Sequence, residues 1–204
     1  MFDTEPIPPG LDAMPPGPVL AALLSSIDVD RVSGYDRVVV LRAQQRMGSH
    51  FQAQMYAAMV AVADHMDLAE FADDPELAWE AASAEIRAAL RLTRRAADAQ
   101  LGSAVELRKR LPLIWTSLAT GAIDPARARV IASGTSHLDE TTARQVAGLV
   151  IDDAPRLTTG ELGAGLRLLC IEASVTPQQP RPGSSRRWTG GAWSRRPLRR
   201  GPRI

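Results

Sequence analysis

The stretch SGYDRVVVLRAQQRMGSHFQAQMYAAMVAVADHM, Ser33–Met66, runs without a proline and decides the fold class. Ser33, followed three residues later by Asp36, is an acidic variant of the capping box that opens a helix. Val39, Met47, Met55, Met59, Val62 and Met66 recur at intervals of three, four or eight, which predicts an apolar stripe along one long helix. The polar run Arg42, Gln44, Gln45, Arg46, Ser49 and His50 interrupts that side, so the helix is expected to be covered on one face only. A stripe of this length must pack on something. Its heptad-like spacing points to a partner helix, and a homodimer through Ser33–Met66 is one way to supply it.

On the N-terminal side, Val19–Ser26 reads as a short helix, and residues 1–18 have the proline-rich composition of a disordered leader. On the C-terminal side the helical signals repeat. Asp74-Pro75 gives a cap and a first-turn proline, with Leu77, Trp79, Ala82, Ile86, Ala89 and Leu90 following. Thr93 caps a helix over Arg94–Leu111 that faces Ala97, Leu101, Ala104, Val105 and Leu111 inward. Leu113–Thr120 is a short helix closed by Gly121. Asp124-Pro125 restarts the chain as Ala126–Ser133 with a stop at Gly134, and Asp139 caps a helix to about Ile151. Thr158 with Glu161 is a capping box for Thr159–Ala173.

Nothing in residues 19–175 requires a strand, so the expectation is an all-α multi-helix bundle with one long N-terminal helix and a helix-turn-helix-like corner. Composition agrees. Hydrophobic residues make up 45% of the chain but aromatics only 4%, and alanine supplies much of the rest. Helices packed through small side chains fit this better than a sheet.

The net charge of +1 conceals an asymmetry. All 23 acidic residues lie at or before Glu172, whereas residues 181–204 hold eight arginines and no acid; setting those eight aside leaves 16 basic against 23 acidic residues in 1–180, a net of −7. A body of that sign does not attract phosphate by its overall field, so a nucleic-acid contact must come from a local patch or from the tail. Residues 176–204, rich in arginine, proline and glycine, show no apolar periodicity and are expected to be disordered.

Ala84–Leu111 has the apolar spacing of a helix-turn-helix, and Arg94 and Arg95 stand where such a motif enters a groove. The bland alternative is a surface pair beside a core corner. Arg108, Lys109 and Arg110 form a second cluster at a helix C-terminus, where the dipole favours cations in any case. Arg127, with Arg129, would extend a basic surface if the fold brings it there.

Chemistry beyond this is scarce. The histidines, His50, His65 and His137, lack ligand spacing. A dyad of His50 with Asp64 or His65 with Asp67 would have no nucleophile beside it. Asp73-Asp74 and Asp152-Asp153 read as caps and turns, and Cys170 as a buried small hydrophobe. No enzyme activity, cofactor, metal or small-molecule substrate is expected. With no secretory signal and no long apolar run, the expected location is cytoplasmic, without membrane partners.

Three stretches carry a resemblance: Val29–Asp36 (VDRVSGYD), Ala84–Leu111 and Leu118–Ile131 (LATGAIDPARARVI). Together, in this order, they resemble the N-terminal domain of actinobacterial HNH-endonuclease-associated 13E12-repeat proteins, the helical domain of unknown function DUF222, over about residues 20–175. The resemblance implies a C-terminal HNH cassette with catalytic histidines and a metal. No histidine follows His137 and no cysteine follows Cys170, so that activity does not carry over. The acid-free tail also departs from the family and reads either as a truncated or frame-disrupted end or as a genuine basic arm that binds phosphates nonspecifically.

The leading expectation is therefore a noncatalytic accessory domain contacting DNA through Arg94, Arg95, Arg108, Lys109, Arg110 and Arg127. The alternative is a protein-interaction or dimerisation domain without nucleic-acid binding. Convergence of the basic residues on one exposed face favours the first. An exposed apolar strip on the long helix favours the second.

Overall fold

Ser33 opens the long helix as its spacing predicts: its hydroxyl donates to Asp36 Oδ2 at 2.8 Å and accepts from the Asp36 N–H at 3.2 Å. In the computed structural model, which describes residues 5–69, 73–175, 186–189 and 192–195, this helix, α2, spans Gly34–Ala69. At 1.5 Å per residue it is about 54 Å long. It passes through two separate cores. Its N-terminal half buries Val39, Val40, Ala43 and Met47 against Leu20 of α1 (Pro18–Ser26) and against Leu11. Its C-terminal half contributes Ala53, Tyr56, Met59 and Val60 to the main core.

The expected stripe holds at Val39, Met47 and Met59, while Val62 and Met66 pack at the edge of the core. Met55 is exposed instead. At about 100° per residue the two cores bury nearly opposite sides of α2, with Val40, Ala43 and Met47 on one and Ala53, Tyr56 and Val60 on the other, and Met55 falls between them.

Leu11 comes from the proline-rich leader, and it is buried. Arg46 of α2 donates to its carbonyl at 2.6 Å, and the Glu5 N–H donates to the Arg31 carbonyl at 2.8 Å. The leader thus lies against α2 over the residues described, held by Leu11 with Ile7 and Met14 packed beside it, by these hydrogen bonds and by the Glu5–Arg31 ion pair.

Asp74 caps α3 (Pro75–Leu90) by accepting from the Leu77 N–H. The buried residues are Ala78, Ala82, Ser83 and Ile86, whereas Leu77, Trp79, Ala89 and Leu90 are exposed. The core face is therefore turned relative to the expected one. The turn that follows holds Arg91 in the left-handed region at φ 52° and returns the Leu92 N–H to the Arg87 carbonyl. Arginine here takes the place usually given to glycine.

Thr93 accepts from the Ala96 N–H and opens α4 (Arg94–Val105), which buries Ala97, Leu101 and Ala104. The single helix expected to Leu111 ends early. Glu106–Arg110 form a π turn, closed by the Leu111 N–H on the Glu106 carbonyl at 3.0 Å. Pro112 cannot donate and pushes the residue before it out of the α region, so the wide turn finishes the helix just ahead of it.

Next come α5 (Pro112–Ala119) and then Gly121 at φ 71°, which closes it as expected. A Cβ on Gly121 would lie 2.8 Å from the Arg46 carbonyl oxygen, so backbone meets backbone where α5 turns over α2. Helix α6 spans Pro125–Thr135 and does not stop at Gly134. That glycine lets α8 approach instead: its missing Cβ would sit 3.3 Å from Leu166 Cδ1.

The last two helices are α7 (Glu140–Val150) and α8 (Thr159–Val175). Cys170 of α8 is buried, donates its thiol to the Gly134 carbonyl at 3.4 Å, and has its ionisation pushed up by burial. Past α8, the described tail residues form a short antiparallel ladder, β1 (Arg186–Thr189) with β2 (Ala192–Arg195), in which Trp188 is in register with Trp193. The Gly-Gly pair between them in sequence is a two-residue hairpin signal. The remainder of the expected disordered tail lies outside the described residues.

Both caps on the final helices depend on carboxylates. Hydrogen bonds from Thr142 hold the Asp139 carboxyl below its usual range, and those from Thr158 do the same for Glu161. A lowered folded-state pKa contributes stability that is present above the unfolded value, near 4, and is lost as pH falls through the lowered one. Helicity should accordingly decline in acid below pH about 4. Asp139→Asn, which keeps the cap without the titration, should flatten part of that decline in a circular-dichroism titration. An unchanged acid profile would remove Asp139 from this account.

Candidate interaction surfaces

Arg94 and Arg95 open α4, and Arg108, Lys109 and Arg110 follow its end, so the two clusters lie about 20 Å apart along one helix axis. They do not form one patch. Arg94 is exposed but bound to Glu80 at 2.7 Å, with Asp98 at 4.0 Å. Arg95 is exposed and has no ion pair among the described residues. Lys109 reaches Asp64 of α2 at 2.6 Å. The Arg108 guanidinium lies 5.0 Å from the centre of the Trp115 ring, a cation–π contact that leaves its outer side to solvent.

Arg110 and Arg127 are spent inside the fold. Arg110 pairs with Glu106 and donates to the carbonyls of Thr135, at 2.8 Å, and Leu138. The Thr135 carbonyl ends α6, where a helix leaves acceptors unmet, and the Leu138 carbonyl stands in the loop just ahead of α7. Arg127 pairs with Asp124 and donates from Nε to the carbonyls of Ala154 at 3.0 Å and Leu157 at 2.9 Å. Each guanidinium therefore ties the end of one element to the next.

The helix-turn-helix-like corner is present as two helices joined at Arg91-Leu92-Thr93, but α4 is not a protruding helix. Within it only Arg94, Arg95 and Ala99 are exposed, the other residues being buried or half-buried beneath α2 and α3. Asp98 within α4 and Glu106 just past its end add negative charge. A groove-reading helix needs an open, donor-rich side.

The pair of His50 with Asp64 does not form, and the side chain of Asp67, named above with His65, lies outside the described residues. The His50 Nδ1–H donates to the Ala119 carbonyl at 2.7 Å and its Nε2 accepts from Gln54 at 2.9 Å, while Asp64 is on Lys109. Among the described residues no group of three His, Cys, Asp or Glu side chains is placed to hold a metal, and no helix is long and apolar enough to cross a membrane.

The outer face of α2 carries a feature that the sequence reading passed over. Tyr35 is 80% exposed, Leu41 64% and Phe51 52%, with Val38 and Met55 also exposed. Leu41, Gly48 and Met55 are spaced by sevens, and so are Gln44, Phe51 and Ala58; all six are exposed. Gly48 has nothing within 4 Å of the position a Cβ would take. A mid-helix glycine costs about 0.5–1 kcal/mol relative to alanine. Neither a turn nor a close contact within the chain accounts for it.

Comparison with curated proteins and with solved structures finds no match. The model of the family described as "Domain of unknown function (DUF222)" matches residues 42–162, from within α2 to the first turn of α8, and so takes in most of the main core and both basic clusters. The small core made by Leu11, α1 and the start of α2 lies mostly ahead of the matched region. With more than half its length matched, the chain belongs to the DUF222 family.

Proposed function

We propose that this domain is an interaction module that pairs with a second copy of itself through the exposed face of α2. The observation that carries the reading is Gly48. On one strip of helix a hollow at Gly48 and a knob at Phe51 lie three residues apart. A two-fold axis between antiparallel copies sets each Phe51 over the partner copy's Gly48, flanked by Leu41, Met55 and Ala58. Self-complementarity of this kind is what an isologous interface requires, and knobs seated in hollows a heptad apart are how long helices pair.

The basic residues support the nucleic-acid reading less well, because Arg110 and Arg127 serve carbonyls, Arg94 and Lys109 serve carboxylates, and Arg95 and Arg108 stand at opposite ends of α4.

The test is the mass of the full chain across concentration, by sedimentation equilibrium. A dimer is expected, with Phe51→Glu monomeric and, as a surface change, within about 0.5 kcal/mol of the parent monomer in stability at concentrations too low for pairing. Gly48→Gln should also be monomeric yet more stable as a monomer by about 0.5–1 kcal/mol, from helix propensity. A parent that stays monomeric at every concentration overturns the proposal. Duplex-DNA binding by such a monomer, weakened by Arg95→Ala and Arg108→Ala, would put the nucleic-acid reading in its place.

A further inference from the structure

Where the α5–α6 connection crosses α2, a cavity of about 180 Å³ is lined by Gln45, Arg46, Ser49, Asp124 and Arg127, with Gly121–Ile123 and Pro155 completing the wall. Arg46 holds its place through one hydrogen bond, from Nη2 to the Leu11 carbonyl. Its Nε–H is buried and has no hydrogen-bond partner, the one such side-chain atom among the described residues. Native proteins seldom leave a buried donor unmet, least of all one on a charged group.

The charges around the cavity do not cancel. Asp124 is committed to Arg127, and it also caps α6 by accepting from the Arg127 N–H. That leaves the Arg46 guanidinium as one uncompensated positive charge at a half-buried position, with the positive end of α6 nearby.

We infer that this cavity binds a small oxyanion of about one negative charge, a carboxylate or a phosphate monoanion, on Arg46. A water molecule would leave the charge unmet; an oxyanion meets it, and a guanidinium is the side chain best shaped to hold one. The space exceeds the roughly 30 Å³ share of one water several times over, so a small ion fits. Arg46 already bonds the leader through Leu11 and touches Gly121 through its own backbone. An ion there would tie together the leader, α2 and the α5–α6 connection. This site is independent of the α2 outer face and stands whether or not the chain dimerises.

Nitrogen-15 NMR of arginine side chains in the full chain tests it. The Arg46 Nε–H resonance, identified by its loss in Arg46→Lys, should shift saturably as sodium phosphate or sodium acetate is added, and should not follow sodium chloride at equal ionic strength. Gln45→Glu sets a like charge at the exposed rim and should weaken binding of the responding anion about tenfold. Since Gln45 is exposed, this variant leaves the core intact even if Arg46→Lys folds poorly. A resonance unmoved by both oxyanions, or moved equally by chloride, overturns the inference and leaves the cavity to water.

Discussion

Gly121→Ala should destabilise the domain by about 3 kcal/mol or more, as two penalties fall on one methyl group. At φ 71° the residue is in the left-handed region, where a Cβ costs about 1–2 kcal/mol. The same Cβ would lie 2.8 Å from the Arg46 carbonyl oxygen and 2.9 Å from Arg46 Cβ. These are atoms of a long helix packed in its core, not the tip of a side chain that can swing aside, and overpacking of this kind costs about 1–3 kcal/mol. For a domain of this size the sum corresponds to a melting temperature lower by about 6–12 °C. Urea unfolding of the parent and variant measures it directly. A loss below about 1 kcal/mol would mean that the α5–α6 connection can lift away from α2 at little cost, contrary to the tight contact described.

The contrast between Gly121 and Gly134 shows which parts of this fold the sequence exposes. Both glycines follow a helical run and both read as stops. Gly121 is one, because Thr120 ends α5 and Asp124-Pro125 opens the next helix. Gly134 is instead a place where Leu166 of α8 comes close, and that depends on a residue far along the chain. Signals that act within one turn were legible throughout: Ser33 with Asp36, Asp74-Pro75, Thr93, Asp124-Pro125, Asp139, and Thr158 with Glu161 all cap as expected.

Helix faces were less legible, and alanine is the reason. In α3 the helix approaches its neighbours through Ala78, Ala82 and Ser83, so small residues take the buried side while Leu77, Trp79 and Leu90 point outward. Ranking residues by hydrophobicity picks the wrong side of such a helix. Gly48 could have been found, since a glycine flanked by Leu41 and Met55 at intervals of seven has no local role in a helix. The partners of Arg110 and Arg127 could not, because they are backbone carbonyls 25 to 30 residues away, and a carbonyl leaves no mark on the sequence.

Arg110→Met should therefore behave as a core mutation, although Arg110 reads in sequence as the last of three surface cations. The substitution keeps much of the aliphatic volume but removes the donors that serve the Thr135 and Leu138 carbonyls, and it leaves Glu106 without its partner. The pair is largely shielded, with 17% and 29% of the two side chains exposed. Unmet acceptors and an unpaired carboxylate in such a setting cost about 2–4 kcal/mol together. Arg95→Ala and Arg108→Ala, on exposed side chains without carboxylate partners among the described residues, should stay within about 0.5 kcal/mol of the parent. Urea midpoints for the three variants separate the roles that a cluster of like charges hides. A neutral Arg110→Met would mean that its guanidinium is not needed at the end of α6, and Arg110 would then rejoin Arg108 as a cation available to a phosphate; a large loss takes Arg110 out of any phosphate contact and leaves Arg95 and Arg108, about 20 Å apart, as the members of the two clusters without a carboxylate partner among the described residues.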